Sequence, residues 1–200
     1  MSSERPHVAR LIFEALYVLA LTTGLREGEL LGLRWRYVDL ERGALQVRGN
    51  VQRIEGKPVV KEPKTESSSR QVLLTKLAVD ALRQHRLRQL EERLKMGDAW
   101  DDQDLVFPNQ SGGPMYAQNF LSRSYLPLRK RAGIPQVRFH DLRHSAATLL
   151  LASGVHPKVV REILGHSRIA VTMDLYSHVT MTMQRDAVNA MDTLFGEVRH

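Results

Sequence analysis

The stretch HDLRHSAATLLLASGVHPKVVREIL, residues His140–Leu164, carries the clearest fold signal in the chain. It predicts two helices, His140–Ser153 and Pro157–Leu164, separated by a turn at Gly154. Pro157 suits the first position of a helix, because the N–H that proline lacks has no intrahelical partner there. A helix pair joined at a glycine is typical of a helix-turn-helix, and also of two helices buried side by side in a core.

The remainder of the chain predicts more helix. Gly24 is a natural stop for the first segment, and Thr75 has the hydroxyl group of a helix N-cap. Apolar residues recur at helical spacing before Gly24 and again after Thr75. The further predicted helices are His7–Thr23, Glu27–Leu33, Thr75–Met96, Tyr116–Ala132 and an amphipathic tail from Thr180 to Val198.

Between the second and third of these helices the pattern changes to that of short strands. Ala44–Arg48, Pro58–Lys61 and Arg70–Leu74 are predicted strands, separated by turns rich in Gly, Pro and Ser. The polar segment Lys61–Arg70 is therefore expected to be a hairpin tip. The predicted fold class is mainly α with a small antiparallel β-sheet, an α+β domain.

The composition favours an anionic partner. The 200 residues carry a formal net charge of +7, for which nucleic acid is the first candidate. Between Met115 and Ser145, one acid, Asp141, stands against six cations: Arg123, Arg129, Lys130, Arg131, Arg138 and Arg143.

The chain has no cysteine, which excludes disulfides and thiolate metal ligands and fits a reducing compartment. No apolar run has the length of a membrane span, and the polar first residues predict no export signal.

Six side chains have, in sequence order, the chemistry that phosphodiester cleavage requires. Arginine holds two phosphate oxygens with its planar fork, lysine and histidine move protons, and a tyrosine oxygen attacks phosphorus. Glu29 lies three residues after the first arginine on the same helical face, so it is expected to orient that guanidinium. The six residues are Arg26, Lys64, His140, Arg143, His166 and Tyr176.

The spacing of the histidines in HDLRH leaves a metal site open as an alternative. The motif resembles the HExxH zinc helix with Asp in place of Glu, and His166 would then be a third ligand after His140 and His144. We rank this interpretation lower for two reasons. Aspartate is a shorter base than glutamate, and Arg143 would put a permanent cation beside the metal.

Four motifs, in this order, resemble the catalytic domain of the tyrosine recombinases, the phage integrase family. The resemblance covers about Thr22 to His178. The motifs are TGLREGELLGLRW, PKTESSSRQVLL, HDLRHSAATLLLASG and VVREILGHSRIAVTMDLYSH. The implied activity is site-specific DNA recombination, in which strands are cut and rejoined without metal or ATP.

The same resemblance implies a role for each of the six residues. Arg26 and Arg143 would clamp the scissile phosphate, and Lys64 would act as general acid. His140 would assist as acid or base, and His166 would contact the phosphate. Tyr176 would form a 3′-phosphotyrosyl intermediate.

The resemblance also implies double-stranded DNA as partner and a homotetramer on that DNA, with a monomer alone left open. We expect one catalytic domain over residues 1–200, with residues 179–200 as the tail helix, acting in the cytoplasm at the nucleoid. Full-length members carry an N-terminal DNA-binding domain, so we expect this chain to be a catalytic fragment or a member without that domain. Two other functions stay open: strand relaxation like that of a type IB topoisomerase, and a non-catalytic helix-turn-helix module over His140–Leu164.

Overall fold

The computed structural model describes residues 13–62, 69–165, 188–189 and 191. In these ranges the helices are α1 (Glu14–Thr23), α2 (Glu27–Leu31), α3 (Lys76–Met96), α4 (Ala117–Phe120), α5 (Leu126–Arg131), α6 (Asp141–Ala152) and α7 (Pro157–Leu164). The strands are β1 (Val38–Asp39), β2 (Ala44–Val47), β3 (Asn50–Ile54), β4 (Lys57–Lys61) and β5 (Arg70–Leu73). Within the described part of the chain, every helix is too short or too polar to cross a membrane.

The helix ends follow from the capping residues. α1 stops at Gly24, which adopts a left-handed conformation with φ 63° and returns its N–H to the carbonyl of Ala20. The hydroxyl of Thr75 accepts the N–H of Ala78 at 3.2 Å and so caps α3. Both predicted ends are confirmed, whereas the predicted helix start at His7 lies outside the described residues.

The predicted helix Tyr116–Ala132 contains an irregular turn. A π turn over Leu121–Tyr125 separates α4 from α5. Pro127 lies two residues beyond this turn and has no N–H, so the regular hydrogen-bond ladder is broken one turn before it. The buried Tyr125 ends the π turn, and its hydroxyl donates to the carbonyl of Val137 at 3.0 Å.

The described strands form two small antiparallel sheets. One sheet has the order β1–β2–β5, and the other is the hairpin β3–β4. The hairpin turns at Glu55 and Gly56, whose φ values are 48° and 82°. Two successive positive φ values are those of the type I′ turn that suits a two-residue hairpin.

The prediction that Lys61–Arg70 is a hairpin tip is wrong. β4 pairs with β3 and β5 pairs with β2, so the connection between β4 and β5 joins two different sheets. The reason is that β3, with the sequence NVQRI, is mostly exposed and lacks the apolar alternation by which strands are recognised. Without β3, β4 has no partner in the sequence-based scheme except β5.

The core surrounds α1, which packs against α3 and α6. Its fully buried members include Leu16, Leu19, Leu30, Leu82, Phe107 and Phe120. A second cluster, formed by Ala147, Leu151, Val160 and Leu164, joins α6 to α7. Burial of each leucine contributes roughly 1.5–3 kcal/mol, so this cluster fixes the C-terminal end of α7 relative to α6.

The predicted fold class, mainly α with small antiparallel sheets, is confirmed. In the predicted tail helix, Val188, Asn189 and Met191 are helical, and their side chains are exposed. The rest of that predicted helix lies outside the described residues.

Candidate functional site

Three arginines from distant parts of the sequence meet at the C-terminal end of α7. Consecutive backbone carbonyls accept one arginine each: Ile163 from Arg70 at 3.0 Å, Leu164 from Arg143 at 2.7 Å, and Gly165 from Arg26 at 3.0 Å. The last carbonyls of a helix have no intrahelical partner and lie at the negative end of its dipole. The guanidinium groups therefore satisfy this helix end while converging on one small region.

Arg26 precedes α2, and Glu29 binds both its side chain and its backbone N–H. One oxygen of Glu29, Oε1, accepts Nη1 of Arg26 at 2.9 Å, and the other, Oε2, accepts the backbone N–H of Arg26 at 2.9 Å. The Arg26 side chain is 43% exposed and that of Glu29 is 10% exposed. The carboxylate thus holds Arg26 from the protein side and leaves the other side open to a ligand.

Arg70, the first residue of β5, completes the environment of Glu29. Its Nη1 donates to Oε1 of Glu29 at 2.9 Å and its Nη2 to Oε2 at 2.8 Å. Burial acts to raise the pKa of Glu29, but the hydrogen bonds and charges of Arg70 and Arg26 outweigh it and lower that pKa. Glu29 is therefore ionised at neutral pH. Sequence reasoning missed Arg70, although it lies on the same face of the strand as the buried Val72.

Arg143 is the most enclosed of the three arginines, with 4% of its surface exposed. It donates from Nη1 to the carbonyl of Gly24 at 2.7 Å and from Nη2 to that of Leu164 at 2.7 Å. Burial, followed by the charge of Arg26, lowers the pKa of Arg143 to about 10. The side chain stays cationic at neutral pH.

Two glycines allow the backbone to approach these arginines. Gly24 and Gly165 both adopt left-handed conformations, with φ of 63° and 65°. A Cβ on Gly165 would lie 2.8 Å from Cζ of Arg70, and a Cβ on Gly24 would collide with the side chain of Leu164. The turns after α1 and α7 therefore depend on glycine for both conformation and space.

His140 lies at the N-cap position of α6, and its ring meets that of His144 edge to face at 5.0 Å. Partial desolvation lowers the pKa of His140, and the charges of His144 and Arg143 lower it further. The adjacent Arg138 is paired with Asp141, from Nη2 to Oδ1 at 2.9 Å. His140 is thus biased towards its neutral form beside the arginine cluster.

The structure brings together Arg26, Glu29 and Arg143, with His140 near Arg143. Lys64, His166 and Tyr176 lie outside the described residues, so their predicted roles stay predictions. In the sequence, His166 directly follows Gly165. Among the residues that the structure describes, no three His, Asp or Glu side chains are grouped as metal ligands.

The arrangement is chemically suited to an anion. Arg26 and Arg70 share the single negative charge of Glu29, and Arg143 is bound by backbone carbonyls, so an excess of positive charge remains in the cluster. The helix pair α6–α7 supports this cluster, with Val160 and Leu164 fully buried in the second core cluster. The pair therefore has the character of two core helices rather than of a separate helix-turn-helix module.

Comparisons with known proteins agree on one family. The model of the phage integrase family matches residues 5–183. A XerC-like tyrosine recombinase of Caldanaerobacter subterraneus subsp. tengcongensis is 37% identical over an alignment of 194 residues, and the match covers 91% of this chain and 49% of the relative. The ICEBs1 integrase of Bacillus subtilis is 29% identical over 185 residues, 92% of this chain and 50% of the relative. The chain spans about half the length of these curated relatives.

Solved structures share the fold. The Tn1549 transposon integrase in complex with circular intermediate DNA aligns with a TM-score of 0.71 at 23% identity, covering 96% of this chain and 66% of that one. The XerA recombinase aligns with a TM-score of 0.66 at 26% identity, covering 96% of this chain and 65% of that one.

Proposed function

Since the chain belongs to the phage integrase family, we propose that it carries the catalytic domain of a site-specific DNA recombinase. The observation that carries this proposal is the convergence of Arg26 and Arg143 on the adjacent carbonyls of Gly165 and Leu164. Two guanidinium groups this close offer paired donors to the non-bridging oxygens of one phosphodiester. His166 directly follows Gly165 in the sequence and belongs to the same motif as Leu164 and Gly165.

In the proposed reaction, Oη of Tyr176 forms a bond to the scissile phosphorus while the bond to the 5′ oxygen breaks. His140 takes the phenol proton, and Lys64 gives a proton to the departing oxygen. The lowered pKa of His140 favours the neutral imidazole that a base needs at neutral pH. A 5′-hydroxyl of another strand then attacks the phosphotyrosine, reseals the DNA and frees Tyr176.

Arg26, Arg143 and His166 would stabilise the negative charge that develops on the non-bridging oxygens. Removal of one such donor typically slows a reaction by about 10²- to 10³-fold. Glu29 supports Arg26 and does not touch the substrate in this scheme.

Two tyrosines of the described part of the chain are poor alternatives to Tyr176 as nucleophile. Burial raises the pKa of Tyr17 to about 12, and its hydroxyl shares a 2.6 Å hydrogen bond with Ser124. Burial also raises the pKa of Tyr125, whose hydroxyl donates to a backbone carbonyl. A phenol with a raised pKa is harder to ionise, which weakens it as a nucleophile.

The proposed partner is double-stranded DNA, bound by a homotetramer that assembles on it, and the proposed place of action is the nucleoid. We further propose that residues 1–200 form one catalytic domain with residues 179–200 as its tail helix. Counting protein copies per duplex by mass photometry tests the assembly. One copy per duplex at saturating protein would contradict it.

A covalent adduct tests the chemistry. A pool of nicked duplexes with a randomised core is incubated with the chain, and DNA that becomes protein-linked is recovered and sequenced. We expect the selected site to give an adduct that migrates slowly on a denaturing gel. Tyr176→Phe should abolish this adduct, whereas the exposed Tyr116→Phe serves as matched control and should retain it. An adduct formed by Tyr176→Phe would exclude Tyr176 as the nucleophile.

A plasmid with two copies of the selected site separates recombination from simple relaxation. Exchange of the segments between the sites is the expected result. Relaxed plasmid without exchanged product would instead indicate a topoisomerase.

A further inference from the structure

We propose that Arg70 is a positioning residue of the reaction, which fixes Glu29 and the end of α7 and thereby the direction of Arg26. This inference rests on the proposed function, in which Arg26 holds the scissile phosphate. Arg70 does not touch the substrate in this scheme, and it acts through its contacts with Glu29 and with the end of α7.

The first step of the argument is the geometry of Arg70 itself. Its fork, Nη1 and Nη2, binds both oxygens of Glu29 at 2.9 and 2.8 Å, and its Nε binds the carbonyl of Ile163 at 3.0 Å. The side chain is 19% exposed. Three of its five N–H donors are bound within the protein, two of them by the carboxylate of Glu29, so the charge of Arg70 is paired inside the protein and its task is a supporting one.

The second step concerns the acceptors of Glu29. A carboxylate has about four lone-pair positions. Four donors are bound to them: the backbone N–H and Nη1 of Arg26, and Nη1 and Nη2 of Arg70. Without Arg70, two positions would open and the carboxylate would be able to rotate. Nη1 of Arg26 would then lose its fixed partner.

The third step concerns the peptide after α7. The guanidinium of Arg70 packs so closely on Gly165 that a Cβ there would lie 2.8 Å from Cζ. The carbonyl of the same Gly165 accepts Nη2 of Arg26 at 3.0 Å. Arg70 thus constrains both groups that orient Arg26, the Glu29 carboxylate and the Gly165 carbonyl.

Lysine cannot replace Arg70 in this arrangement. The guanidinium of Arg70 is a rigid plane whose N–H groups point in two directions, to Glu29 and to the carbonyl of Ile163. A lysine ammonium is a compact point charge and has no such fork. Arg70→Lys retains the charge and loses the geometry. This variant therefore separates orientation from simple charge.

The experiment measures single-turnover adduct formation on the nicked site that the unmodified chain selects. The variants are Arg70→Gln, Arg70→Lys and Arg26→Gln. The matched control is Arg83→Gln, because Arg83 is an arginine that pairs with the exposed Glu41 at 3.4 Å, away from the cluster. Thermal unfolding and DNA affinity are recorded for each variant. Each rate is measured on two substrates, the ordinary phosphodiester and one whose scissile phosphate carries a methyl group in place of a non-bridging oxygen.

We expect Arg70→Lys and Arg70→Gln to bind DNA like the unmodified chain but to form adduct about 10- to 100-fold more slowly, while Arg83→Gln is unchanged. The methylated phosphate is neutral and needs less help from Arg26. The loss of adduct-formation rate in both Arg70 variants should therefore be smaller on the methylated substrate, as should the loss in Arg26→Gln. Arg26→Gln combined with Arg70→Gln should be little slower than Arg26→Gln alone.

Other outcomes would overturn the inference. An unchanged rate of adduct formation for a folded Arg70→Lys variant would show that Arg70 does not position Arg26. An equal deficit on both substrates would assign it a merely structural role. Each of these results leaves the proposed function intact, because the unmodified chain still forms its adduct. Absence of any adduct with the unmodified chain and every duplex of the pool would overturn the proposed function, and this inference with it.

Discussion

Arg143 donates a 2.7 Å hydrogen bond from Nη1 to the backbone oxygen of Gly24, across 119 residues of sequence. The same guanidinium binds Leu164, so it joins the end of α1 to the end of α7. A cation proposed for catalysis is thus also part of the internal framework. Replacement of Arg143 will change the position of the site as well as its charge.

Arg143→Lys should make adduct formation sensitive to alkaline pH. The surroundings that lower the pKa of Arg143 to about 10 will also lower that of a lysine, which starts from a smaller ordinary value. A lysine is charged below its pKa and neutral above it, so activity should fall as the pH rises. The unmodified chain should lack this loss because Arg143 stays charged.

Rates of adduct formation between about pH 6 and pH 9 test this, with Arg83→Lys as the control arginine replacement. Matching pH profiles for Arg143→Lys and the unmodified chain would contradict the expectation.

Gly165→Ala should destabilise the fold and slow the reaction together. Gly165 has φ 65° and Gly154 has φ 80°, so alanine at either position costs roughly 1–2 kcal/mol in backbone conformation. A Cβ meets Arg70 at Gly165 and open space at Gly154. Chemical denaturation measures the loss of stability in Gly165→Ala and in Gly154→Ala, and adduct rates show whether activity is lost with it. Gly154→Ala should lose stability with nearly full activity, and equal rates for both variants would show that the Arg70 contact is unimportant.

Glu29→Gln should lower the free energy of unfolding by on the order of 1–3 kcal/mol, because two guanidinium groups lose a charged acceptor. The loss should stay below that of a fully buried pair, since Arg26 is 43% exposed. The pKa of Glu29 is lowered in the folded chain, so its stabilisation is present above the ordinary glutamate pKa and disappears as the pH falls.

Urea denaturation at neutral and acidic pH measures both effects. Glu29→Gln should show a smaller loss of stability on acidification than the unmodified chain. Glu91→Gln, at an exposed position of α3, should behave like the unmodified chain. A Glu29→Gln variant with unchanged stability at neutral pH would contradict the saturated carboxylate described above.

His85 should make the fold sensitive to mild acid independently of the site. It is 3% exposed, its Nε2 bonds the carbonyl of Val106, and its Nδ1 has no hydrogen-bond partner in the described structure. Burial lowers its pKa. The unfolded chain therefore takes up a proton at higher pH than the folded chain, and stability falls as the pH drops below the ordinary histidine value.

His85→Phe retains a ring against Trp35 and Phe107 and removes the titrating group. Its free energy of unfolding should change less between about pH 7 and pH 5 than that of the unmodified chain. An identical slope in the two proteins would show that other groups carry the acid sensitivity.

The sequence predicted the helices well because their ends have local signals. Gly24, Thr75 and Pro157 each act through the bonds of their own turn, and each is found at its predicted place. The exposed strand β3 has no such signal, and the pairing of β4 was wrong as a result. Arg26 and Arg143 were predicted from residue type and motif, whereas Arg70 acts through a contact with Glu29 that spans 41 residues. A contact of that range leaves no trace in local spacing.

The pairing of β5 with β2 decides where Arg70 points. Arg70 lies opposite Val47 in the last rung of this ladder, and it shares a face with the buried Val72. Slippage by a single residue would turn that face outward and send the arginine into solvent. A one-residue deletion inside β5 should therefore misdirect Arg70, because the aim of its guanidinium is inherited from the hydrogen-bonded ladder of a four-residue strand.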